Sequence, residues 1–194
     1  MEIIFATQNE HKVDEVKAML LGTDITIKSL KTLDCQLEVE ETGDSFEANA
    51  FLKAKAIYDL YKIPVFSEDS GLVVDALNGL PGIHSARYAG EERNHDQNID
   101  KLLTALKDVD KRLARFVSNI CFYNGSVARH FSGKVEGKIS YSRQGKGGFG
   151  YDPVFIPQDH NKSFAELGDI VKNKISHRKA AMDSFCSFLK QSEL

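Results

Sequence analysis

The sequence has no tryptophan, 4 prolines and 3 cysteines among its 194 residues. That composition excludes a collagen-like chain, and 42% hydrophobic residues exclude a disordered one. The cysteines, Cys35, Cys121 and Cys186, form no C-x-x-C pair. An odd, scattered set suits reduced thiols in a core, not a disulfide framework or a zinc site. No apolar run reaches the roughly 20 residues that span a bilayer, so no membrane partner is expected. Met1 to Ala6 includes an acid and no basic stretch, which does not read as a signal peptide and points to the cytoplasm. Positive charge is not in excess either, with 25 Lys and Arg against 28 Asp and Glu for a net −3. That balance argues against a nucleic-acid partner, because phosphate neutralisation supplies most of such affinity. A small polyanion in a local basic pocket remains open.

What is present suits one domain covering 1–194, a length that buries about 70% of its unfolded surface. Glu2 to Thr7 reads as a buried first strand, with a helix starting near Asn9 or Glu10. Asp24 to Leu30 alternates as a second strand. Ser45 to Tyr61 is the strongest helix, capped by Ser45, with Phe46, Ala50, Ala54, Ile57 and Tyr61 on one face. Pro64 to Ser67 and Leu72 to Val74 read as two short strands separated by acids and Gly71. Ile99, Leu102, Leu103 and Leu106 mark a third helix. Leu113 to Tyr123 and Gly125 to Phe131 form a hairpin around Asn124-Gly125. A short strand around Pro153 to Ile156 and a last helix from about Ser176 complete an α/β chain with a mixed sheet.

Four segments could carry chemistry. Gly145-Lys146-Gly147-Gly148-Phe149-Gly150 fits G-x-G-x-x-G, but Pro153 and a strand follow where a dinucleotide fingerprint needs a helix. What survives is a loop whose backbone can approach a ligand, with Phe149 available for stacking. Thr7-Gln8-Asn9-Glu10-His11-Lys12 sits where a helix N-terminus favours a phosphate, although a simple cap explains Thr7 and Asn9 equally well. Glu68-Asp69-Ser70-Gly71, with Glu38, Glu40 and Glu41, supplies clustered carboxylates that can hold Mg²⁺ and orient a water. A solvated acidic loop is the plain alternative. Lys172 to Arg178 places two amines, an imidazole and a guanidinium at the entry to the last helix, against its dipole. The conflict suggests a compensating anion or carbonyl-bearing ligand, with a solvated basic cluster as the alternative.

Together these segments resemble the inosine triphosphate pyrophosphatases, which hydrolyse deaminated purine nucleoside triphosphates. The likeness runs from Thr7 to Arg178. It covers T-x-N-x-x-K at Thr7, Asn9 and Lys12, E-E-T-G at Glu40 to Gly43, and Glu47 to Ala50 with Lys53. It continues through D-S-G-L at Asp69 to Leu72, Leu80 to Ile83, Ser85 to Tyr88, G-G-F-G-Y-D-P at Gly147 to Pro153 and S-H-R at Ser176 to Arg178. Gln8 stands where relatives often have glycine, and Glu68 where many have aspartate.

The resemblance implies a long mixed sheet flanked by helices in two lobes with a central cleft, and a homodimer. It implies that Thr7, Gln8, Asn9, Glu10, His11 and Lys12 bind phosphates and that Glu40 and Asp69 serve Mg²⁺, with Asp69 also the general base. Lys53, Ser70 and Lys172 would contact the nucleotide. Phe149, Gly150, Tyr151 and Asp152 would hold the base with His177 and Arg178. Expected substrates are ITP, dITP and XTP, cleaved to monophosphate and pyrophosphate. Two rivals exist. Septum-inhibitor-like pyrophosphatases for modified pyrimidine nucleotides carry S-x-S-x-R-R in the first loop, which this chain lacks. A non-catalytic nucleotide sensor would not need Asp69 and Glu40.

Overall fold

In the computed structural model, which describes residues 1–191 apart from the side chain of His11, Ile3 and Phe5 enter one core cluster and Ile4 another. Strand β1 (Glu2–Phe5) is therefore covered on both faces, as a short apolar run in a parallel sheet must be. It pairs in parallel with β2 (Thr26–Ser29), Ile3 opposite Ile27, and with β3 (Val65–Val74), Ile4 opposite Val65. The other strands are β4 (Leu113–Tyr123), β5 (Ala128–Ile139) and β6 (Phe155–Pro157), in the order β2-β1-β3-β4-β5-β6. β5 and β6 run antiparallel, so the sheet is mixed. The helices are α1 (Glu10–Met19), α2 (Phe46–Tyr61), α3 (His95–Ala105), α4 (Phe164–Ile175) and α5 (His177–Gln191). Among the described residues no helix is long and apolar enough to cross a membrane.

The chain divides into two compact units, and it passes between them inside β3, β4, β5 and α5. The first unit holds Met1–Asp69, Asn119–Ser132 and the chain from Ala181. Here Ile3, Phe5 and Phe66 meet Val13 and Val16 of α1 and Phe185 of α5, while Ile4 and Val65 meet Ala50, Ala54 and Ile57 of α2. Helices thus cover both faces of its strands. The second unit holds Ser70–Ser118 and Gly133–Ala180. Its core joins Leu72 and Val74 to Ile99 and Leu102 of α3, Phe116 of β4, Phe155 of β6 and Phe164 of α4.

Three elements depart from the sequence reading. β3 is one strand through Glu68 to Gly71, residues of low β propensity, held in the sheet between β1 and β4, and Leu72 N donates to Ser85 Oγ at 2.8 Å. β5 runs on past Phe131 to Ile139. Helix α4 has no counterpart in the periodicity reading, since Gly168 leaves helical geometry with φ 74° and breaks the pattern. Its start is nonetheless a capping box. Ser163 Oγ accepts from Glu166 N at 3.2 Å, and Glu166 Oε2 accepts from Ser163 N at 3.0 Å.

Candidate active site

In the first unit, the middle of β3 meets a lysine of α2. Lys53 Nζ donates to Glu41 Oε1 at 2.9 Å, to the Glu68 carbonyl at 2.8 Å and to Asp69 Oδ1 at 3.4 Å. Lys12 Nζ of α1 donates to Glu68 Oε2 at 3.0 Å, and the Glu68 side chain is only 2% exposed. Two ammoniums thus meet three carboxylates. Asp69 Oδ2 is buried and makes no hydrogen bond of good geometry, although the Asn49 side-chain amide lies close enough to favour the charged carboxylate. Burial pushes the Asp69 carboxyl above the usual carboxylate range, Lys53 opposes that rise, and Glu41 adds to it.

Glu40 is exposed, whereas its neighbour Glu41 is the acid that reaches Lys53. Sequence reading had no means to choose between adjacent glutamates in a segment without regular structure. It also gave no role to Asn49, quoted only within a motif, which is fully buried in α2 and accepts from Gly43 N through Oδ1 at 2.8 Å. Gly43 lies so close that a Cβ there would come within 2.7 Å of both Ala48 Cβ and Asn49 Oδ1. The E-E-T-G segment is thereby fastened against α2.

The Thr7 to Lys12 segment joins β1 to α1. Thr7 Oγ1 accepts from Asn9 N at 3.2 Å and Asn9 Oδ1 accepts from Lys12 N at 3.4 Å, so both side chains serve the turn. Gln8 Nε2 donates to the Cys35 carbonyl at 2.8 Å. Glu10 Oε1 is buried without a hydrogen bond. His11 lies on α1, and its side chain is outside the described residues.

In the second unit a cavity of about 120 Å³ gathers every remaining candidate: Ser70, Phe149, Gly150, Tyr151, Asp152, Lys172, His177 and Arg178. A larger cavity of about 370 Å³, bordered by Glu136 and Ile156, includes none of them. Within the smaller one, Asp152 is 1% exposed. Its Oδ2 accepts from Phe149 N at 2.7 Å and from Lys172 Nζ at 2.5 Å. Tyr151 is buried, and its hydroxyl donates to the Ser85 carbonyl at 2.9 Å. Burial raises its phenol well above the ordinary value. His177 is buried and stacks on Phe116, with centroids 4.9 Å apart and planes 14° apart. Phe149, by contrast, is 71% exposed.

One expectation about these segments changes. Lys172 and Lys174 lie in the last turn of α4, where the dipole favours cations, and of the Lys172 to Arg178 segment only His177 and Arg178 open α5. The supposed conflict with the dipole is absent for the lysines. Two glycines of the Gly145 to Gly150 loop, Gly145 and Gly148, serve the chain's own close packing. A Cβ on Gly148, at φ 83°, would sit 2.5 Å from Asp152 Oδ2, and one on Gly145 2.8 Å from the Ala165 backbone. No helix follows the loop, so the dinucleotide reading fails as expected.

The sequence model of the Ham1 family matches residues 3–188. The chain belongs to the Ham1 family. It is 46% identical to a dITP/XTP pyrophosphatase of Porphyromonas gingivalis, over 97% of each chain. It is 44% identical to the enzyme of that name from Aquifex aeolicus, over 100% of this chain and 98% of the other. Among solved structures, the Staphylococcus aureus Ham1 protein superposes with a TM-score of 0.92 at 39% identity, covering 98% of both chains. A HAM1 protein from Coxiella burnetii gives 0.94 at 35% identity, covering 99% of this chain and 100% of that one. The α/β fold with a mixed sheet is thus that of Ham1 proteins.

Proposed function

We propose that this protein is a nucleoside triphosphate pyrophosphatase that hydrolyses deaminated purine nucleotides (ITP, dITP and XTP) to the monophosphate and pyrophosphate. The observation that carries the reading is Asp69: a mostly buried carboxylate with one oxygen tied to Lys53, the Asn49 amide also acting on it, and its Oδ2 without a hydrogen bond of good geometry. A raised carboxyl pKa moves such a group toward the operating range of a general base. Asp69 takes a proton from water, the water oxygen bonds to the α-phosphorus, and the bridging bond to the β-phosphate breaks, so pyrophosphate leaves. Lys12 and Lys53 offset phosphate charge, and the Thr7 to Lys12 segment lies against the phosphates. The base occupies the cavity of the second unit, with Phe149 stacking and Arg178 donating to the 6-oxo group.

The residues fit Mg²⁺. Asp69 Oδ2 is buried without a hydrogen bond of good geometry, and the Glu41 carboxylate meets the same lysine as Asp69. Mg²⁺ is held by one or two carboxylates plus substrate phosphates more often than by an all-protein cage, and Asp69 with one acid of the Glu40-Glu41 pair matches that need. Bound there, the ion would neutralise charge developing on the phosphates. On this reading the enzyme is a homodimer that cleanses the nucleotide pool of the cytoplasm.

Hydrolysis of ITP in ¹⁸O-labelled water tests the proposal. The label should enter the monophosphate, with unlabelled pyrophosphate as the other product. Orthophosphate as the first product, with no inorganic pyrophosphatase present, would overturn it.

A further inference from the structure

Phe149 is largely exposed, yet both its backbone and its ring are held. Its N–H donates to the buried Asp152 carboxylate, and its ring meets that of His95 edge to face, with centroids 4.4 Å apart and planes at 69°. His95 is the first residue of α3, directly after the cap Asn94, whose Oδ1 accepts from Gln97 N at 3.1 Å. The first two turns of the same helix grip the chain leading into the glycine loop. Arg143 donates to Asp100 Oδ1 at 2.6 Å and to the Asp96 carbonyl at 2.9 Å. His95 also borders the cavity that Phe149 lines. None of this was visible in the sequence, where His95 sits in an exposed polar stretch.

We infer that His95 is a positioning residue for base recognition, holding the Phe149 ring in the attitude at which an oxopurine base stacks. The inference rests on the proposed function, since it presupposes a purine triphosphate in this cavity. An exposed phenyl ring left to itself samples several rotamers, and ordering it on binding costs affinity. The His95 ring restricts that freedom beforehand. Its contribution falls on binding of the base, which is remote from the bond that breaks, so it changes KM and leaves kcat alone.

Steady-state kinetics with ITP on the intact protein, comparing wild type, His95→Ala, His95→Phe, Phe149→Ala and His95→Ala/Phe149→Ala, test the inference. His95→Ala should raise KM about three- to tenfold, the scale of one aromatic pair, with kcat held within about twofold. His95→Phe, which keeps an aromatic ring on Phe149, should restore most of the loss. The double variant should be no worse than Phe149→Ala, because His95 acts only through that ring. A wild-type KM in His95→Ala, even with a lowered melting temperature, makes the contact structural and overturns the inference. So does a KM penalty that multiplies in the double variant, or a fall in kcat at constant KM. In those outcomes an active wild type leaves the functional reading standing. A wild type that hydrolyses neither ITP nor XTP overturns that reading and this inference together.

Discussion

Asp152 and Lys172 form an ion pair 2.5 Å long, and the same carboxylate oxygen holds the backbone N–H of Phe149. One buried acid therefore couples the last turn of α4 to the loop that carries the exposed ring. Both residues were expected to touch the nucleotide. In the free protein, their charges are directed at each other.

Lys172→Met should consequently act on stability as well as binding. With side chains 16% and 2% exposed, the pair is buried enough that removing the ammonium strands the carboxylate. A loss of about 3 kcal/mol is expected, the low end for breaking a buried pair. Adding Asp152→Asn should recover part of it. Urea unfolding at constant m-value measures both effects.

Asp69→Asn should lower kcat by at least about 10²-fold, the usual scale for a lost general base, without unfolding the protein. It should even stabilise the metal-free protein near neutral pH. A carboxyl whose folded pKa is raised binds its proton more tightly folded than unfolded, so its ionisation opposes folding. That penalty is absent below the unfolded pKa and complete above the folded one. The gain in melting temperature from Asp69→Asn should therefore grow as pH rises from strongly acid toward neutral. A gain that is flat across that range would place the charge of Asp69 outside the folding balance.

Phe149→Ala should raise KM for ITP, XTP and ATP alike, since stacking does not read base edges. Arg178→Ala should instead shrink the ITP-to-ATP ratio of kcat/KM about 10- to 100-fold. A guanidinium has no acceptor and leaves the 6-amino donor of adenine unpaired. Equal losses on both substrates would assign Arg178 to the phosphates or to structure.

All three cysteines should resist alkylation in the native state. Each is buried, and burial pushes the Cys121 thiol up to about 12, which leaves almost no thiolate at mildly alkaline pH. Iodoacetamide followed by mass spectrometry should find no label on the folded protein and three labels in concentrated guanidinium. Rapid native labelling of Cys121 would mean that β4 opens readily.

Local chemistry was legible where a short stretch determines its own conformation. Ser45 caps α2 as its side chain dictates, the apolar run of β1 is buried on both faces, and Asn124-Gly125 separates β4 from β5. The ordered motifs from Thr7 to Arg178 likewise sufficed for the family, because the family pattern is itself a sequence property. What only the tertiary structure decided are relationships between residues far apart in the chain. Glu41 rather than Glu40 faces Lys53, and Lys172 belongs to the end of α4 rather than the start of α5. His95 meets Phe149, 54 positions further along the chain. Composition and periodicity report which face of an element is apolar. Which charge answers which, and which ring holds which, depends on how the backbone brings distant segments together.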